Sequence, residues 1–432
     1  MNRILITLFT LFILPALAAA QQQPQVFEGA KIIPVEGDPI TDGVLVIQDG
    51  KIKVVGARGD VSIPGNAQTH DASGKVIMPG LVDSHSHIGG GDGGDRSAAL
   101  HPDVRILDSI DPHSDTFKKA LAGGITTVNV MPGSGHLMSG QTVYLKLRDA
   151  DKTEDMLFVD DPEKEVAGGL KMANGTNPIG DSPFPGTRAK SAAMVRQLFM
   201  KAQNYNQQIK EADGDPEKMP KRDLGMETLV EVLNGERIVH NHTHRHNDIL
   251  TAIRLSKEFD YRLVLHHVSE AWKVIDEIAE AGVPTSIIVL DSPGGKMEAS
   301  EIRYENGALL EDAGVTVGYH TDASITDTRL FSRSAAFGVR AGMSREAALE
   351  AITIANAKML DVDDRVGTLE EGKDADFIIL SGDPLSTYTR VQQTWIEGKK
   401  RFDLSNPEDK KYANGGYKVY ERATQNHHHG QH

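Results

Sequence analysis

A long middle stretch, from Pro79 to Leu360, most constrains how this chain can fold, because strand-like and helix-like segments alternate along it. The apolar run 263–265 is typical of a buried strand. Residues 269–281 are typical of a helix ended by glycine, and residues 285–290 are typical of the next strand. Such alternation predicts parallel strands joined by crossover helices. The stretch is close to the roughly 250 residues of a typical (β/α)8 barrel. The sequence therefore predicts an α/β fold built on a (β/α)8 TIM barrel.

Strand-like segments also occupy both ends of the chain. Residues 44–48 and 51–55 flank Asp49-Gly50, a pair typical of a tight hairpin turn, and short strands return at 377–380 and 393–398. We therefore expect a small composite β-sandwich formed by the N- and C-terminal segments. The expected organisation is a signal peptide (1–20), N-terminal sandwich strands (21–78), the barrel (79–360), C-terminal sandwich strands (361–403) and a polar, histidine-rich tail (404–432).

The first twenty residues have the pattern of a secretory signal peptide. Arg3 precedes an apolar run that starts at Ile4, is interrupted by Pro15 and ends in alanines up to Ala20. The run is short for a bilayer span, so cleavage after Ala20 is expected, with a retained membrane anchor as the alternative. The mature protein is then expected to be periplasmic or secreted, with no membrane insertion.

Composition limits the partners that the chain can bind and the kinds of site that it can form. The chain has 432 residues, a formal net charge of −15, no cysteine and 17 histidines. A strongly acidic chain is a poor partner for nucleic acid or an anionic membrane. Without cysteine it can form no disulfide, thiolate metal site or cysteine nucleophile. Histidine must therefore supply any nitrogen ligands to a metal. Four histidines lie in the tail, where metal binding and a tag-like end are both open.

Most other histidines cluster where predicted strands end. The groups are His85/His87, His240/His242/His244, His266/His267 and His320/Asp322. Residues two apart on a strand share a face, whereas adjacent residues face opposite ways. Only one of His266 and His267 is therefore expected inside the barrel. Because barrel enzymes place their chemistry at the carboxyl ends of the strands, these groups are candidates for one site.

Spacing assigns the groups to particular strands. His267 follows His242 by 25 residues, room for one helix and one strand, and Asp322 follows His267 by 55, room for two such units. If His85 ends the first barrel strand, these residues end strands 5, 6 and 8. Imidazoles and a carboxylate around one barrel mouth are typical of a metal-dependent hydrolase.

On these residues the chain resembles the amidohydrolase superfamily, from about residue 27 to residue 400. The motifs are Pro79-Gly80-Leu81-Val82-Asp83-Ser84-His85-Ser86-His87, Thr321-Asp322 and Gly367-Thr368-Leu369-Glu370-Glu371-Gly372-Lys373-Asp374-Ala375-Asp376. The imidazolonepropionase-like and metal-dependent dipeptidase branches are the most similar. The resemblance implies a first metal on His85 and His87, contacted by Asp322, and a second on His242 and His267. The second metal could instead bind His240 or His244 in place of His242, because all three share one face of the predicted strand.

Many members of the superfamily bridge two metals with a carboxylated lysine at the end of strand 4. Lys171, in Gly168-Gly169-Leu170-Lys171-Met172, is the candidate here. A buried lysine with a lowered pKa can react with carbon dioxide to give a carbamate. The alternative is a lysine that binds a substrate carboxylate or covers a loop, so one metal and two metals are both open.

The resemblance implies hydrolysis of a C–N amide bond by a metal-activated hydroxide. Asp322 would take the proton of the water and deliver it to the leaving amine. Zinc is the expected metal, and manganese, iron or cobalt also fit. The expected substrates are small amides, dipeptides or N-acyl amino acids. The alternatives are cyclic-amide or ester hydrolysis, deamination, and a non-catalytic binding protein of the same fold; homo-oligomerisation is open.

Overall fold

The structure is a computed structural model that describes residues 22–91, 93–288, 296–323 and 325–414. Its strands are β1 (Gln25–Ile32), β2 (Ile40–Gln48), β3 (Lys51–Ala57), β4 (Gln68–Asp71), β5 (Val76–Pro79), β6 (Leu81–Ser86), β7 (Ile125–Val130), β8 (Met138–Gln141), β9 (Val143–Lys146), β10 (Leu170–Ala173), β11 (Val239–Thr243), β12 (Leu263–His267), β13 (Thr285–Ile287), β14 (Val317–Tyr319), β15 (Phe377–Leu380), β16 (Val391–Ile396) and β17 (Lys399–Asp403). Its α-helices are α1 (Asp115–Ala122), α2 (Arg188–Ala212), α3 (Leu224–Leu233), α4 (His246–Phe259), α5 (Ile275–Ala281), α6 (Asn306–Asp312), α7 (Phe331–Arg340), α8 (Arg345–Glu350), α9 (Ile354–Lys358) and α10 (Pro407–Asn414). Among these residues no helix is both long and apolar enough to span a bilayer. The signal segment predicted at 1–20 and the tail histidines lie outside the described residues.

Both ends of the chain contribute to one eight-stranded sheet. Its order is β17-β16-β15-β5-β1-β2-β3, with β4 paired to β1. The two ends join where β5 runs antiparallel to β15, with Met78 opposite Ile378. The expected hairpin forms between β2 and β3, and Asp49 and Gly50 both have positive φ, at 53° and 76°. The predicted composite β unit is therefore present, as one continuous sheet.

The sheet bends around an aromatic core. The ring of Phe27 on β1 lies 5.0 Å from that of Phe377 on β15 and 5.1 Å from that of Trp395 on β16. In the path of the sheet these strands are separated by β5, so contact between their side chains requires curvature. The polar tail predicted from residue 404 begins with helix α10, where the Tyr412 hydroxyl donates to Asp115 Oδ1 of α1 at 3.2 Å.

The remaining strands form two sheets with the orders β14-β13-β12-β11-β10-β8 and β6-β7-β9. The pairs from β10 to β14 are parallel, as is β6 with β7, but β8 is antiparallel to β10 and β9 antiparallel to β7. Only Thr142 separates β8 from β9, so this nearly continuous segment joins the two sheets. The expectation of parallel strands throughout is wrong here. The connection from Val130 to Met138 is too short for a parallel crossover, so the chain must reverse.

A side chain bridges β14 and β6, the edge strands at which the two central sheets meet, and this junction is called the seam below. No strand pairing joins these two strands among the described residues. Asn356 on α9 donates from Nδ2 to the carbonyl of Val82 at 2.6 Å and to that of Tyr319 at 2.7 Å. The Asn356 amide thus replaces ladder hydrogen bonds, and a closed barrel is not seen in the described residues.

A buried cluster of charges connects β9 to the C-terminal strands. Lys146, which has no exposed surface, donates to Asp374 and lies 3.0 Å from Asp376 Oδ2. Arg365 Nη2 lies 2.8 Å from Asp374 Oδ2. Charges this deeply buried need partners. Asp374 and Asp376, at the end of the Gly367–Asp376 motif, therefore connect the composite sheet to the central strands.

Candidate metal centre

The carboxyl ends of β6, β11, β12 and β14 open into a cavity of about 2330 Å³. Its lining includes four of the predicted site residues, namely His87, His242, His267 and Asp322. Gly90, Gly91 and Gly133 form part of the wall, so the loops after β6 and β7 border the same space. The cavity is where barrel enzymes bind their substrates.

A first cluster consists of His85, His87 and Asp322. The two Nε2 atoms lie 3.3 Å apart, and Asp322 Oδ1 lies 3.4 Å from the first and 3.0 Å from the second. His87 Nδ1 donates to the carbonyl of Met131 at 2.7 Å, which leaves Nε2 directed at the cluster. Burial acts to raise the pKa of Asp322, but its hydrogen bond to His87 and the nearby charges hold that pKa below its usual value. The carboxyl group is therefore ionised at neutral pH.

A second cluster consists of His242, His244 and His267, each with a ring nitrogen within 4.8 Å of the others. Nδ1 of His242 and Nε2 of His267 are buried without a hydrogen-bond partner among the described residues. Burial lowers the pKa of all three imidazoles. They are consequently neutral at pH 7 and keep a lone pair available for a cation.

Hydrogen bonds distinguish His240 from the other two histidines on or directly after β11, His242 and His244. Both nitrogens of His240 are engaged, Nε2 with the Tyr144 hydroxyl at 2.9 Å and Nδ1 with His266 Nε2 at 3.0 Å. His244 Nδ1 contacts the Ser269 hydroxyl at 2.8 Å and His242 Nε2 contacts Asn177 Nδ2 at 3.2 Å, so each keeps one ring nitrogen without a partner among the described residues. The geometry therefore argues against His240 as the ligand, while His242 and His244 both belong to the second cluster.

The expectation that His266 points away from the interior is wrong. His266 has no exposed surface, and its ring centroid lies 4.9 Å from that of His85. The alternation of strand residues breaks because His267 has a left-handed φ of 73°. Both neighbours can therefore face the interior, and no local feature of the sequence indicates this twist.

Lys171 lies beside the first cluster. Its Nζ is 3.2 Å from His85 Nε2 and 3.0 Å from Met131 Sδ, and the side chain is fully buried. Burial lowers the pKa of this amine to about 7. A large fraction of the lysine is thus uncharged at neutral pH, the state that can react with carbon dioxide.

Sequence reasoning missed several side chains around the clusters. The Ser286 hydroxyl on β13 lies 2.8 Å from His320 Nδ1, and Asn177 Nδ2 lies 3.2 Å from His242 Nε2. Arg188 Nε lies 2.9 Å from Asp248 Oδ1. For Asn177 the only available signal was its position shortly after a predicted strand end.

These clusters suit divalent metal ions. The donors are imidazoles and a carboxylate, a mixed set that zinc, manganese, iron and cobalt accept. Among the described residues, two buried nitrogens, His242 Nδ1 and His267 Nε2, have no hydrogen-bond partner, and both histidines belong to the second cluster. Buried polar atoms without partners are costly, so a ligand is the simplest explanation. Fold and site together define a metal-dependent hydrolase.

Comparison with known proteins gives the same class. The amidohydrolase family model matches residues 265–402. A solved amidohydrolase from Thermotoga maritima MSB8 is 32% identical, with a TM-score of 0.82, covering 88% of this chain and 99% of that one. An imidazolonepropionase of Rhizobium rhizogenes is 27% identical over 79% of this chain and 86% of that protein. The amidohydrolase tasK of Hapsidospora irregularis is also 27% identical, over 84% of this chain, which spans only 41% of tasK.

The chain belongs to the amidohydrolase family, and it is a hydrolase acting on carbon–nitrogen bonds. The family is metal-dependent, and its members imply a TIM-barrel-type fold with a β unit from both chain ends. The family resemblance seen in the sequence is thereby confirmed.

Proposed function

We propose that this protein is an exported, metal-dependent amidohydrolase that cleaves the amide bond of a dipeptide or an N-acyl amino acid. The observation that carries the proposal is the pair of ligand clusters at a single cavity, with Lys171 Nζ 3.2 Å from His85 Nε2 of the first cluster. The proposal of export rests on the signal-like segment at 1–20, which would direct the enzyme to the periplasm or outside the cell.

The clusters assign the ligands of two sites. His85, His87 and Asp322 would hold the first ion, His242 and His267 the second, and Lys171, as a carbamate, would lie between them. Zinc is the first choice for this donor set. When bound, a divalent ion supplies Lewis acidity that activates water and polarises a carbonyl. The central strands β6, β7, β8 with β9, and β10 to β14 would make up the eight strands of a barrel spanning residues 79–360.

Asp322 would move the proton. Its lowered pKa keeps the carboxylate ionised at neutral pH, so it can accept a proton from the attacking water. The same oxygen then returns that proton to the amine nitrogen as the C–N bond breaks. The products are a carboxylic acid and a free amine, with one water consumed.

Charges on the cavity wall support a substrate with a carboxylate. Arg96 and Lys296 both line the cavity, and neither forms an ion pair within the described part of the chain. In a chain with a net charge of −15, two cations left for a ligand indicate an anionic group. Dipeptides and N-acyl amino acids carry such a group.

A second candidate is the opening of a cyclic amide, with deamination as a variant on the same site. The similarity to an imidazolonepropionase over most of both chains favours it. The two candidates differ in substrate shape and, for deamination, in the release of ammonia.

The deciding experiment combines metal analysis with a substrate panel. Purified protein would be assayed for bound metal, then tested on dipeptides, N-acyl amino acids and lactams, with amine and ammonia release followed separately. Hydrolysis of the first two classes, lost on chelation and restored by zinc, supports the proposal. Activity confined to lactams, or ammonia release without peptide cleavage, would favour the second candidate.

A further inference from the structure

The segment after β10, residues 174–177, reaches across to His242. Asn177 Nδ2 lies 3.2 Å from His242 Nε2, and Thr176 and Asn177 both line the cavity. The other ring nitrogen, Nδ1, is the one without a partner among the described residues. Asn177 therefore contacts the side of the imidazole opposite the nitrogen that is free for an ion.

The segment is anchored at both ends. The Asn174 backbone amide donates to the carbonyl of His242 at 3.1 Å, and that of Thr176 donates to Glu298 Oε2 at 2.7 Å. Gly175 has a φ of 83°, and a Cβ there would lie 2.6 Å from Glu298 Oε2, so glycine is required. Glu298 is 2% exposed and comes from a different loop, after β13. The close fit fixes where Asn177 lies.

A buried ionic network supports this anchor. Arg188 Nε donates to both carboxylate oxygens of Asp248, at 2.9 and 3.0 Å, and Arg188 Nη2 lies 3.8 Å from Glu298 Oε2. Asn174 Nδ2 donates to the backbone carbonyl of Asp248 at 2.8 Å. Arg188 thus connects the two carboxylates that flank the segment. In these contacts its role is structural.

The amide of Asn177 can set the tautomer of His242. With Nδ2 toward the ring, it donates to Nε2 and leaves the proton of the imidazole on Nδ1, the nitrogen without a partner among the described residues. After a half-turn of the amide, Oδ1 accepts from an Nε2–H, and Nδ1 has a free lone pair. Metal-ligating histidines commonly donate their second N–H to an oxygen in this way. Only the second arrangement is compatible with a cation at Nδ1.

We propose that Asn177 is a positioning residue that selects the metal-binding tautomer of His242, and that Glu298 holds it in place through the Thr176 amide. This inference rests on the proposed function, because it needs a second ion at His242 and His267. It assigns a role to two residues that are not themselves ligands.

The test is the affinity for a second equivalent of Zn²⁺, measured by competition with a chromophoric chelator on the full chain. Asn177→Ala removes the acceptor and should weaken that affinity by roughly 10–100-fold, while the first equivalent stays near its wild-type affinity. Asn177→Asp keeps an acceptor and cannot donate, so its affinity should equal or exceed that of the wild type. Glu298→Ala should weaken the second equivalent in the same direction, and Glu298→Gln, which can still accept from Thr176, should restore it.

The matched controls are Asn204→Ala, an exposed asparagine of α2, and Glu301→Ala, an exposed glutamate three residues after Glu298. Both should bind two equivalents with wild-type affinity. A wild-type second equivalent in Asn177→Ala, or an Asn177→Asp as weak as the alanine variant, would overturn the inference and leave the proposed function intact. A wild-type protein that binds no metal would instead contradict the proposed function.

Discussion

At the scale of single residues, hydrogen bonds distinguish histidines that burial alone would leave alike. Seven imidazoles at the centre have pKa values lowered by burial, namely His85, His240, His242, His244, His266, His267 and His320. His240 has both nitrogens engaged with protein partners, whereas His242 and His267 each keep one free within the described residues. Being buried and neutral is therefore a shared property, and hydrogen bonding at both nitrogens sets His240 apart from the candidate ligands.

Replacing Asp322 by asparagine tests the proton transfer. The Asp322→Asn variant keeps an oxygen for the metal but cannot accept a proton, so kcat should fall by roughly 10²–10⁴-fold with metal content largely intact. The measurements are steady-state kinetics and metal per chain. Asp181→Asn, an exposed residue of the same cavity wall, is the control and should keep its activity. Unchanged turnover in Asp322→Asn would contradict the acid–base role.

Removing Lys171 tests the bridging carbamate. The buried amine, with its pKa near 7, has a large neutral fraction that can take up carbon dioxide. Lys171→Ala should lower the binding of the second metal ion, and bicarbonate should raise metal loading in the wild type but not in the variant. Metal per chain would be measured with and without bicarbonate. The control is the exposed Lys164→Ala, and two ions in Lys171→Ala regardless of bicarbonate would rule the bridge out.

At the scale of elements, the central strands are held together at two unusual places. The segment formed by β8 and β9 runs antiparallel to its neighbours and connects the two sheets. On the opposite side, β14 and β6 meet through the amide of Asn356. The second place matters for the site, because Asp322 follows β14 and its amide donates to the carbonyl of His85 at 3.0 Å.

Loss of the Asn356 amide should destabilise this seam. Asn356→Ala leaves the carbonyls of Val82 and Tyr319 buried without their donor, at a cost of about 2–4 kcal/mol in the free energy of unfolding. Urea denaturation of the metal-free protein would measure it. Asn66→Ala, an exposed asparagine of the N-terminal segment, should change stability by less than about 0.5 kcal/mol. A stability loss in Asn356→Ala no larger than in the control would mean that the seam does not depend on this side chain.

At the scale of the whole molecule, the neutral histidines make stability depend on pH. In the unfolded chain they titrate near pH 6.5, whereas in the fold their pKa values are lower, so below that pH the unfolded state binds more protons. Stability is thus present above about pH 6.5 and falls as the pH decreases, by up to about 1.4 kcal/mol per pH unit for each histidine. Asp83, whose pKa burial raises to about 6, opposes this trend between its unfolded and folded values.

The expected result is a marked drop in the urea midpoint of the metal-free protein between about pH 7.5 and about pH 5.5. The acidic groups with raised pKa values, Asp83, Glu350 and Asp376, are outnumbered by the seven histidines, so the histidines decide the sign. The midpoints would be determined in the presence of a chelator, so that metal release does not contribute. A midpoint that is constant or rises over this range would contradict the assignment of these imidazoles as buried and neutral.

The sequence predicted features that depend on local interactions and missed features that depend on interactions between distant parts of the chain. The β2–β3 hairpin could be predicted from Asp49-Gly50, because turn geometry is local. His85 and His87 could be placed on one face from strand periodicity. The direction of His266 could not, since it depends on a left-handed residue next to it. The contact of Asn177 with His242 could not be predicted either, because the two residues are 65 positions apart in the sequence.

The sequence by itself determined the alternation of strands and helices, the β segments at both ends and the residue types that can bind metal. These follow from short-range periodicity and side-chain chemistry. The tertiary structure alone decided that β8 and β9 reverse direction, that Asn356 bridges the seam and that His242, rather than His240, keeps a free nitrogen. Each of these depends on which distant groups satisfy a buried polar atom, and such pairing is fixed only when the whole chain is packed.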